Sequence, residues 1–409
     1  MNEFNVDFHI HGKFSGGTSP SMEIPRIAQF AELKGLDVVA TSDCLHSGWL
    51  AHIKGTLSEV SEGLYKAENA DTKFIIQTEI EGAGRVHHII LLPSIDAAVK
   101  LRKRFEPHSP NLDSDGRPNV NLSGEKIVEE VYSVGGIVGP AHAFTPYVAI
   151  YKAFHSIDEC YGRQSENIHF VELGLSADTD YADRIEELQD KTFMTNSDCH
   201  SPQPHRLGRE FNRLALKELS FPEIVKAIKR EDGRHFTLNV GLNPAEGKYH
   251  LTACNRCFQR YQLKDAESLK MKCPECRGRI KLGVSDRIQS KLASWESPRH
   301  PEHRPPYIHI LPLAEIISLS LGIRTITSKR IQEKWQQFID EYKTEINVLL
   351  DAPPEDLKKT DGKIGSLIER FRRGTIPYVA GGGGQYGRPT LKGEKTNYWG
   401  KGQKKLGEF

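Results

Sequence analysis

Val6-Asp7-Phe8-His9-Ile10-His11 reads as a strand that delivers three polar side chains to one face. Alternate residues of a strand point the same way, so Asp7, His9 and His11 converge. The same event recurs along the chain. Leu36-Asp-Val-Val-Ala-Thr41 leads to Asp43, and Phe74-Ile-Ile-Gln-Thr78 closes on Glu79. His87-His88 precede the apolar run Ile89–Leu92. Gly136-Ile-Val-Gly-Pro-Ala141 leads to His142, and Phe193-Met-Thr-Asn-Ser197 leads to Asp198 and His200. A lone histidine at a strand end is usually structural, but this set recurs at one end of strand after strand. In an α/β barrel that end carries the chemistry, because its loops converge on one opening.

Amphipathic runs separate the strands. Ser21 is placed to cap a helix through Ile24, Ile27, Ala28, Phe30 and Ala31 that Gly35 ends. Ser123 is placed to cap another through Ile127, Val128, Val131 and Val134, stopped by Gly135-Gly136. Strands are expected at Ile168–Leu173 and Thr192–Ser197, with a helix at Tyr181–Gln189 between them. Such alternation predicts an α/β fold with a parallel sheet or barrel. Imidazoles and carboxylates from several strands can hold two divalent cations, which ready a water for attack and neutralise phosphoryl oxygens.

The order HxH, aspartate, Glu, His, His, DxH resembles the PHP (polymerase and histidinol phosphatase) family over about the first 240 residues. The resemblance implies a distorted (β/α)7 barrel that hydrolyses phosphoesters with two or three divalent metals, Zn²⁺, Mn²⁺ or Mg²⁺. It implies one metal on His9, His11, Glu79 and Asp198, with Glu79 bridging to a second on His88 and His142, and His200 serving a third. Asp43 joins the ligand set, and His88 is preferred over His87. The chain departs from the pattern twice. Phe14-Ser-Gly-Gly stands where a histidine is usual, and Asp43-Cys44 stands for Asp-His, so the third site is either absent or rebuilt with Cys44 or His46.

Near Asn239–Gly247 the pattern breaks into Gly, Asn and Pro, which sets the expected boundary: a barrel over 1–244, a ribbon over 245–285 and a mainly helical region over 286–409. Cys254-x2-Cys257 and Cys273-x2-Cys276, 15 residues apart, have the spacing of a structural zinc site with four thiolate ligands; a β-hairpin is expected between them. The other three of the seven cysteines are scattered, which fits reduced thiols in a cytoplasmic chain rather than a disulfide framework. No apolar run is long enough to span a bilayer.

The formal charge of +1 conceals a division. Residues 1–247 carry 25 basic against 36 acidic residues, whereas 248–281 carry 9 against 3 and 361–409 carry 10 against 4. An acidic metal-holding part with basic appendages matches a nucleic-acid partner. In the second basic block Gly381-Gly382-Gly383-Gly384-Gln385-Tyr386-Gly387-Arg388 lacks nucleotide P-loop spacing. Its glycines Gly381, Gly382, Gly383 and Gly384 suit close approach to a phosphate or base, and with Tyr386 and Arg388 they are the expected DNA-binding residues. At the terminus Gln403-x-x-Leu406-x-x-Phe409 resembles the peptide by which archaeal and eukaryotic repair proteins bind their sliding clamp.

Barrel, ribbon and Gly-rich basic tail together resemble the endonuclease Q family over essentially the whole chain. The segments that carry the resemblance are Val171-Glu-Leu-Gly-Leu-Ser-Ala177, Thr195-Asn-Ser-Asp-Cys-His-Ser-Pro202 and Leu207-Gly-Arg-Glu-Phe-Asn212, besides the ribbon and the glycine run. The resemblance implies a DNA-repair endonuclease, nucleoid-associated, that cuts 5′ to uracil, hypoxanthine, xanthine and abasic sites. The base would be flipped out for inspection. The competing readings are a phosphatase on a small phosphate monoester, a non-catalytic damage-binding scaffold and an exonuclease.

Overall fold

The computed structural model describes residues 1–391. Eleven strands come first: β1 (Asn2–Asp7), β2 (Val38–Ala40), β3 (Leu57–Ser61), β4 (Leu64–Ala67), β5 (Lys73–Glu81), β6 (His87–Leu92), β7 (Ile137–Pro140), β8 (Phe170–Glu172), β9 (Thr192–Met194), β10 (Phe211–Leu216) and β11 (His235–Gly241). The ribbon adds β12 (Ala253–Cys254) and β13 (Ile280–Lys281), and β14 (Tyr307–His309) follows. The main sheet runs β14-β11-β10-β1-β2-β5 and forks at β5 into β4-β3 and β6-β7. β5 can serve both branches because its first half pairs with β2 and β4, and its second half with β6.

The fold is α/β, but the expected parallel sheet is a mixed one. β1, β2 and β5 run parallel, as do β8 and β9, while β10 pairs antiparallel with β1 and β6 pairs antiparallel with both β5 and β7. Nor do the ladders close a barrel among the described residues, since β8 and β9 pair only with each other. Backbone bonds beyond the strand ends join them to the rest: Ala143 N–H donates to Glu172 O at 2.8 Å, and Asp198 N–H to His9 O at 2.9 Å. Those bonds draw the ends of β7, β8, β9 and β1 together at one rim.

Helix boundaries follow their caps. Ser123 Oγ accepts from Lys126 N–H at the start of the Gly124–Tyr132 helix. The Ile24–Lys34 helix ends on left-handed Gly35 as expected, but it begins after Glu23, with no side-chain cap and Pro25 in its first turn, so Ser21 lies outside it. Tyr181–Gln189 does not make one helix. It breaks into the turn Thr179–Ala182 and a 3-10 turn at Glu186–Leu188, because Asp178 caps the first and Asp183 is drawn into Arg304 and His300.

One apolar core runs through the strands and on into the helices Leu313–Leu321, Lys329–Tyr342 and Gly362–Arg372; the ribbon has a small core of its own around Cys254, Ala266, Cys273 and Ile280. A buried ion pair crosses between the first helix and the C-terminal region. Lys34 Nζ lies 2.7 Å from Glu345 Oε1, whose other oxygen accepts from Trp335 Nε1 at 2.7 Å. No helix among the described residues is long and apolar enough to cross a membrane.

Candidate metal centre

The rim gathers the polar strand ends. β1 runs out into His9 and His11, both fully buried, and their Nε2 atoms have no hydrogen-bond partner. Each faces carboxylates instead. His9 Nε2 is 3.7 Å from both Glu79 Oε1 and Asp198 Oδ1; His11 Nε2 is 3.4 Å from Glu79 Oε2 and 3.1 Å from Asp198 Oδ1. Buried imidazole nitrogens aimed at the buried Glu79 and the half-buried Asp198 without a hydrogen bond suit a cation between them. The far ring nitrogens are held from behind. His9 Nδ1 meets Glu172 Oε1 at 3.0 Å, and His11 Nδ1 lies 3.3 Å from Asp43 Oδ1 and 3.2 Å from Ser15 Oγ.

A second group shares Glu79. His87 Nδ1 is 2.9 Å and His142 Nε2 3.0 Å from Glu79 Oε1, and the two rings' nitrogens are 3.3 Å apart. A third group joins His11, Asp198 and His200, with potential ligand atoms within 4.8 Å of one another. Burial opposes charge on Glu79 and Asp198, but the imidazoles around them outweigh it and hold both carboxyls well below the usual range. Cations at this place would take over that role.

Most of the expected residues meet here, and two do not. His88 is one residue out of phase on β6, so it faces the other side of the strand. Its Nδ1 meets the Tyr161 hydroxyl at 2.8 Å, burial pushes its pKa down to about 3, and His87 takes its expected place beside Glu79 and His142. Asp43 stands behind His11 rather than among the converging ligand atoms. Its Oδ2 accepts from Gly12 N–H at 2.6 Å and from Ser15 Oγ at 2.7 Å. Cys44 is buried beside it, and the ring of His46 stacks on Phe14; neither belongs to a ligand group.

Sequence reading gave no role to Glu172 or Arg117. Glu172 sits at the end of β8, where it binds His9 Nδ1 and accepts from His142 N–H at 2.7 Å and Asn196 Nδ2 at 2.8 Å. Its signal was present in the sequence, since Phe170-Val-Glu172 is one more strand ending on a carboxylate. Arg117 Nη1 lies 3.4 Å from Glu79 Oε2 and comes from a loop that no periodicity marks.

In the ribbon Cys254 and Cys276 Sγ are 3.5 Å apart, Cys257 and Cys273 Sγ 3.6 Å, and all four lie within 4.8 Å. Four thiolates around one zinc at about 2.3 Å have such spacings. The expected hairpin between the knuckles is replaced by a short helix, Leu263–Ser268, and β12 pairs with β13 from beyond the second knuckle.

The glycine run, expected to lie open to a phosphate or base, is instead packed against the ribbon's entrance. Gly381, Gly382 and Gly383 are buried, and Gly384 alone of the four is exposed. Gly381 N–H donates to Ala245 O at 2.7 Å, Gly382 N–H to Gln385 O at 3.0 Å and Gly384 N–H to Lys248 O at 2.8 Å, while Leu251 N–H donates to Gly381 O at 3.0 Å. A Cβ at Gly381 would collide with Gly247 O, one at Gly382 would lie 2.8 Å from Leu251 O, and one at Gly383 would collide with Cys254 O. The glycines therefore permit backbone-to-backbone contact within the protein, and Gly383 also takes a positive φ of 66°. Tyr386 and Arg388 project outward, whereas Gln403, Leu406 and Phe409 lie outside the described residues.

Against known proteins, residues 312–375 match the model of the MJ0043 C-terminal domain family. The lesion-specific endonuclease of Pyrococcus furiosus superposes with a TM-score of 0.91 at 42% identity, over 96% of each chain. The structure of endonuclease Q with a 27-mer duplex carrying an abasic lesion at its active site superposes at 0.88, also with 42% identity, covering 96% of this chain and 98% of that one. The uncharacterized protein YqxK of Bacillus subtilis is 30% identical over 422 residues, 95% of this chain and 99% of its own. The uncharacterized protein MJ0043 of Methanocaldococcus jannaschii is 45% identical over 278 residues, 66% of this chain, which spans only 34% of that longer relative.

Proposed function

The chain belongs to the endonuclease Q family, and from that premise we propose that it is a metal-dependent DNA-repair endonuclease that cuts 5′ to deaminated bases and abasic sites, leaving 3′-hydroxyl and 5′-phosphate ends. The observation that carries this reading is the cage of His9, His11, Glu79 and Asp198 in a chain that matches a lesion-specific endonuclease over 96% of its length. Bound divalent ions would supply an acidified water and charge neutralisation. His9, His11, Glu79 and Asp198 would hold one, Glu79, His87 and His142 a second, and Asp198 with His200 would serve a third. The chain's own part is to fix these groups. Glu172 orients His9 and Asp43 orients His11.

The barrel-type unit 1–244 would cut, the ribbon 245–285 would hold a structural Zn²⁺, and the region 286–409 would grip DNA. The exposed Tyr147 and Tyr386 flank the seam between these parts. Tyr147 and Tyr249 rings are 5.9 Å apart, and Lys248 Nζ lies over both Tyr249 and Tyr386 at 5.5 and 5.7 Å. Aromatic faces with a cation beside them can stack an unpaired base, which supports a base-inspection role for Tyr386, with Arg388 near it. The amides of Gly381, Gly382 and Gly384 serve packing, and Gly383 is buried against the ribbon, so any DNA contact there falls to those side chains. The terminal Gln403, Leu406 and Phe409 would recruit a sliding clamp, and the work would be cytoplasmic, at the nucleoid.

A labelled duplex carrying one internal uracil, hypoxanthine or abasic site tests the reading, with an undamaged duplex alongside and Mg²⁺ or Mn²⁺ supplied. One internal nick at the lesion is expected. A ladder from the ends would replace it with an exonuclease, and intact duplexes beside turnover of a small phosphomonoester would replace it with a phosphatase.

A further inference from the structure

Arg117 hangs over the cage from a loop fastened on both sides of it. Gly116 N–H donates to Phe14 O at 3.0 Å, and a Cβ at Gly116 would meet Asp43 Oδ2 at 2.5 Å, so the loop presses directly on the group behind His11. Beyond Arg117, Glu81 N–H donates to Pro118 O at 3.0 Å and Val120 N–H to Glu81 O at 2.7 Å. Arg117 N–H itself donates to Asp115 Oδ1 at 3.0 Å. The side chain is 29% exposed, with one edge at Glu79 Oε2 and another open to solvent. Among the described residues it is the arginine that pairs with a carboxylate of the cage.

Glu79 holds this guanidinium only loosely, since Nη1 at 3.4 Å is long for a charge-assisted hydrogen bond, and bound cations would compete for the carboxylate. Its two oxygens already face His9, His11, His87 and His142 across ligand distances, and cations among them would claim those lone pairs. A planar fork of donors is then left at the solvent side of the cage, where a phosphodiester must enter. The fork fits two phosphate oxygens and keeps its protons at any working pH. We propose that Arg117 is a catalytic residue that binds the non-bridging oxygens of the scissile phosphate and stabilises the charge that grows there. The proposal rests on the phosphodiesterase reading. In the step it serves, a water oxygen bonds to phosphorus as the P–O3′ bond breaks. The electron pair of that bond leaves on O3′, which takes one of the water's protons, and Arg117 transfers none.

The test compares wild type with Arg117→Ala and Arg117→Lys on the uracil duplex. In the Ala variant kcat should fall about 100- to 1000-fold, the scale of losing one preorganised transition-state donor, while KM moves less than about fivefold. Lys should recover only part of it, because a point charge lacks the fork. Metal content by mass spectrometry should match wild type in both. A kcat within about threefold of wild type overturns the proposal. So does loss of metal from the Ala variant with full recovery in Lys, which would make Arg117 a prop for Glu79. If wild type nicks no duplex, the endonuclease reading fails by itself, and calorimetric binding of inorganic phosphate to the metal-loaded proteins then decides. Weakened binding in the Ala variant supports the assignment to phosphate, and equal binding refutes it.

Discussion

At His87 and His88 the two-residue period of a strand decides which imidazole reaches Glu79. Both stand on β6 and both are buried, yet only His87 shares a face with the cage. Replacing His87 by Ala should therefore lower metal content and cleavage together. His88→Ala should instead keep the metals and cost about 1–3 kcal/mol of stability, because it strands the Tyr161 hydroxyl and opens a cavity. Metal analysis beside urea unfolding separates the two. Asp198→Ala should abolish nicking while a mobility-shift assay still finds DNA bound, since the carboxylate faces His9 and His11 within the cage. At this scale the sequence brought His9, His11, Glu79, His142, Asp198 and His200 to one rim, but it did not separate the ligand-type residues from those behind them, since Asp43 and Glu172 also stand at strand ends and hold the imidazoles instead. It was not legible at His87-His88, where two histidines lie in register and only the exact strand phase separates them. Arg117 was hidden because it belongs to a loop held by backbone bonds, which no side-chain pattern reports.

Among the elements, the strand ends are where local structure and chemistry meet. Asp43, His142 and Asp198 all have positive φ, at 25°, 29° and 45°, an arrangement that side chains with a Cβ seldom adopt. The chain turns sharply there and points each side chain to the rim. Gly174, itself at φ 68°, makes room beside one of them: a Cβ would lie 2.6 Å from His142 Cβ. Gly174→Ala should displace His142 and cost about 1–3 kcal/mol in strain, read as a lower melting temperature with at least tenfold slower nicking. Helices with a clear cap and an uninterrupted apolar face, such as Gly124–Tyr132, could be read directly from sequence. Tyr181–Gln189 could not, because the Asp183–Arg304 pairing that breaks it involves a residue over a hundred positions away.

In the whole molecule the sheet takes β14 from beyond the ribbon and pairs it with β11, so the C-terminal region is built into the first part's architecture. The mixed, incompletely laddered sheet was not legible for a related reason: strand–helix alternation reports order along the chain but not which neighbour pairs antiparallel. Lys34→Met should leave Glu345 buried and unpaired, at a cost of about 3–5 kcal/mol in chemical denaturation. Stability should also respond to pH through Glu210. Burial, with the charges of Glu172 and Asp7 adding, raises its carboxyl to about 8. The folded protein then keeps a proton that the unfolded chain sheds above about 4.5, so this contribution is full in acid and is lost as pH rises toward 8. Glu210→Gln should abolish that decline, and unfolding at pH 5.5 and 8.5 would show wild type losing a few kcal/mol more than the variant.

The run of close-packed glycines has a consequence for dissection of the molecule. Residues 245–251 receive their backbone partners from a stretch that arrives some 130 positions later, at 381–387. A fragment cut after the second cysteine pair would keep all four thiolates yet bare the carbonyls of Ala245, Glu246 and Lys248. Truncation downstream should thus loosen the knuckle region's seating on the strands at a distance, even though not one thiolate has been removed.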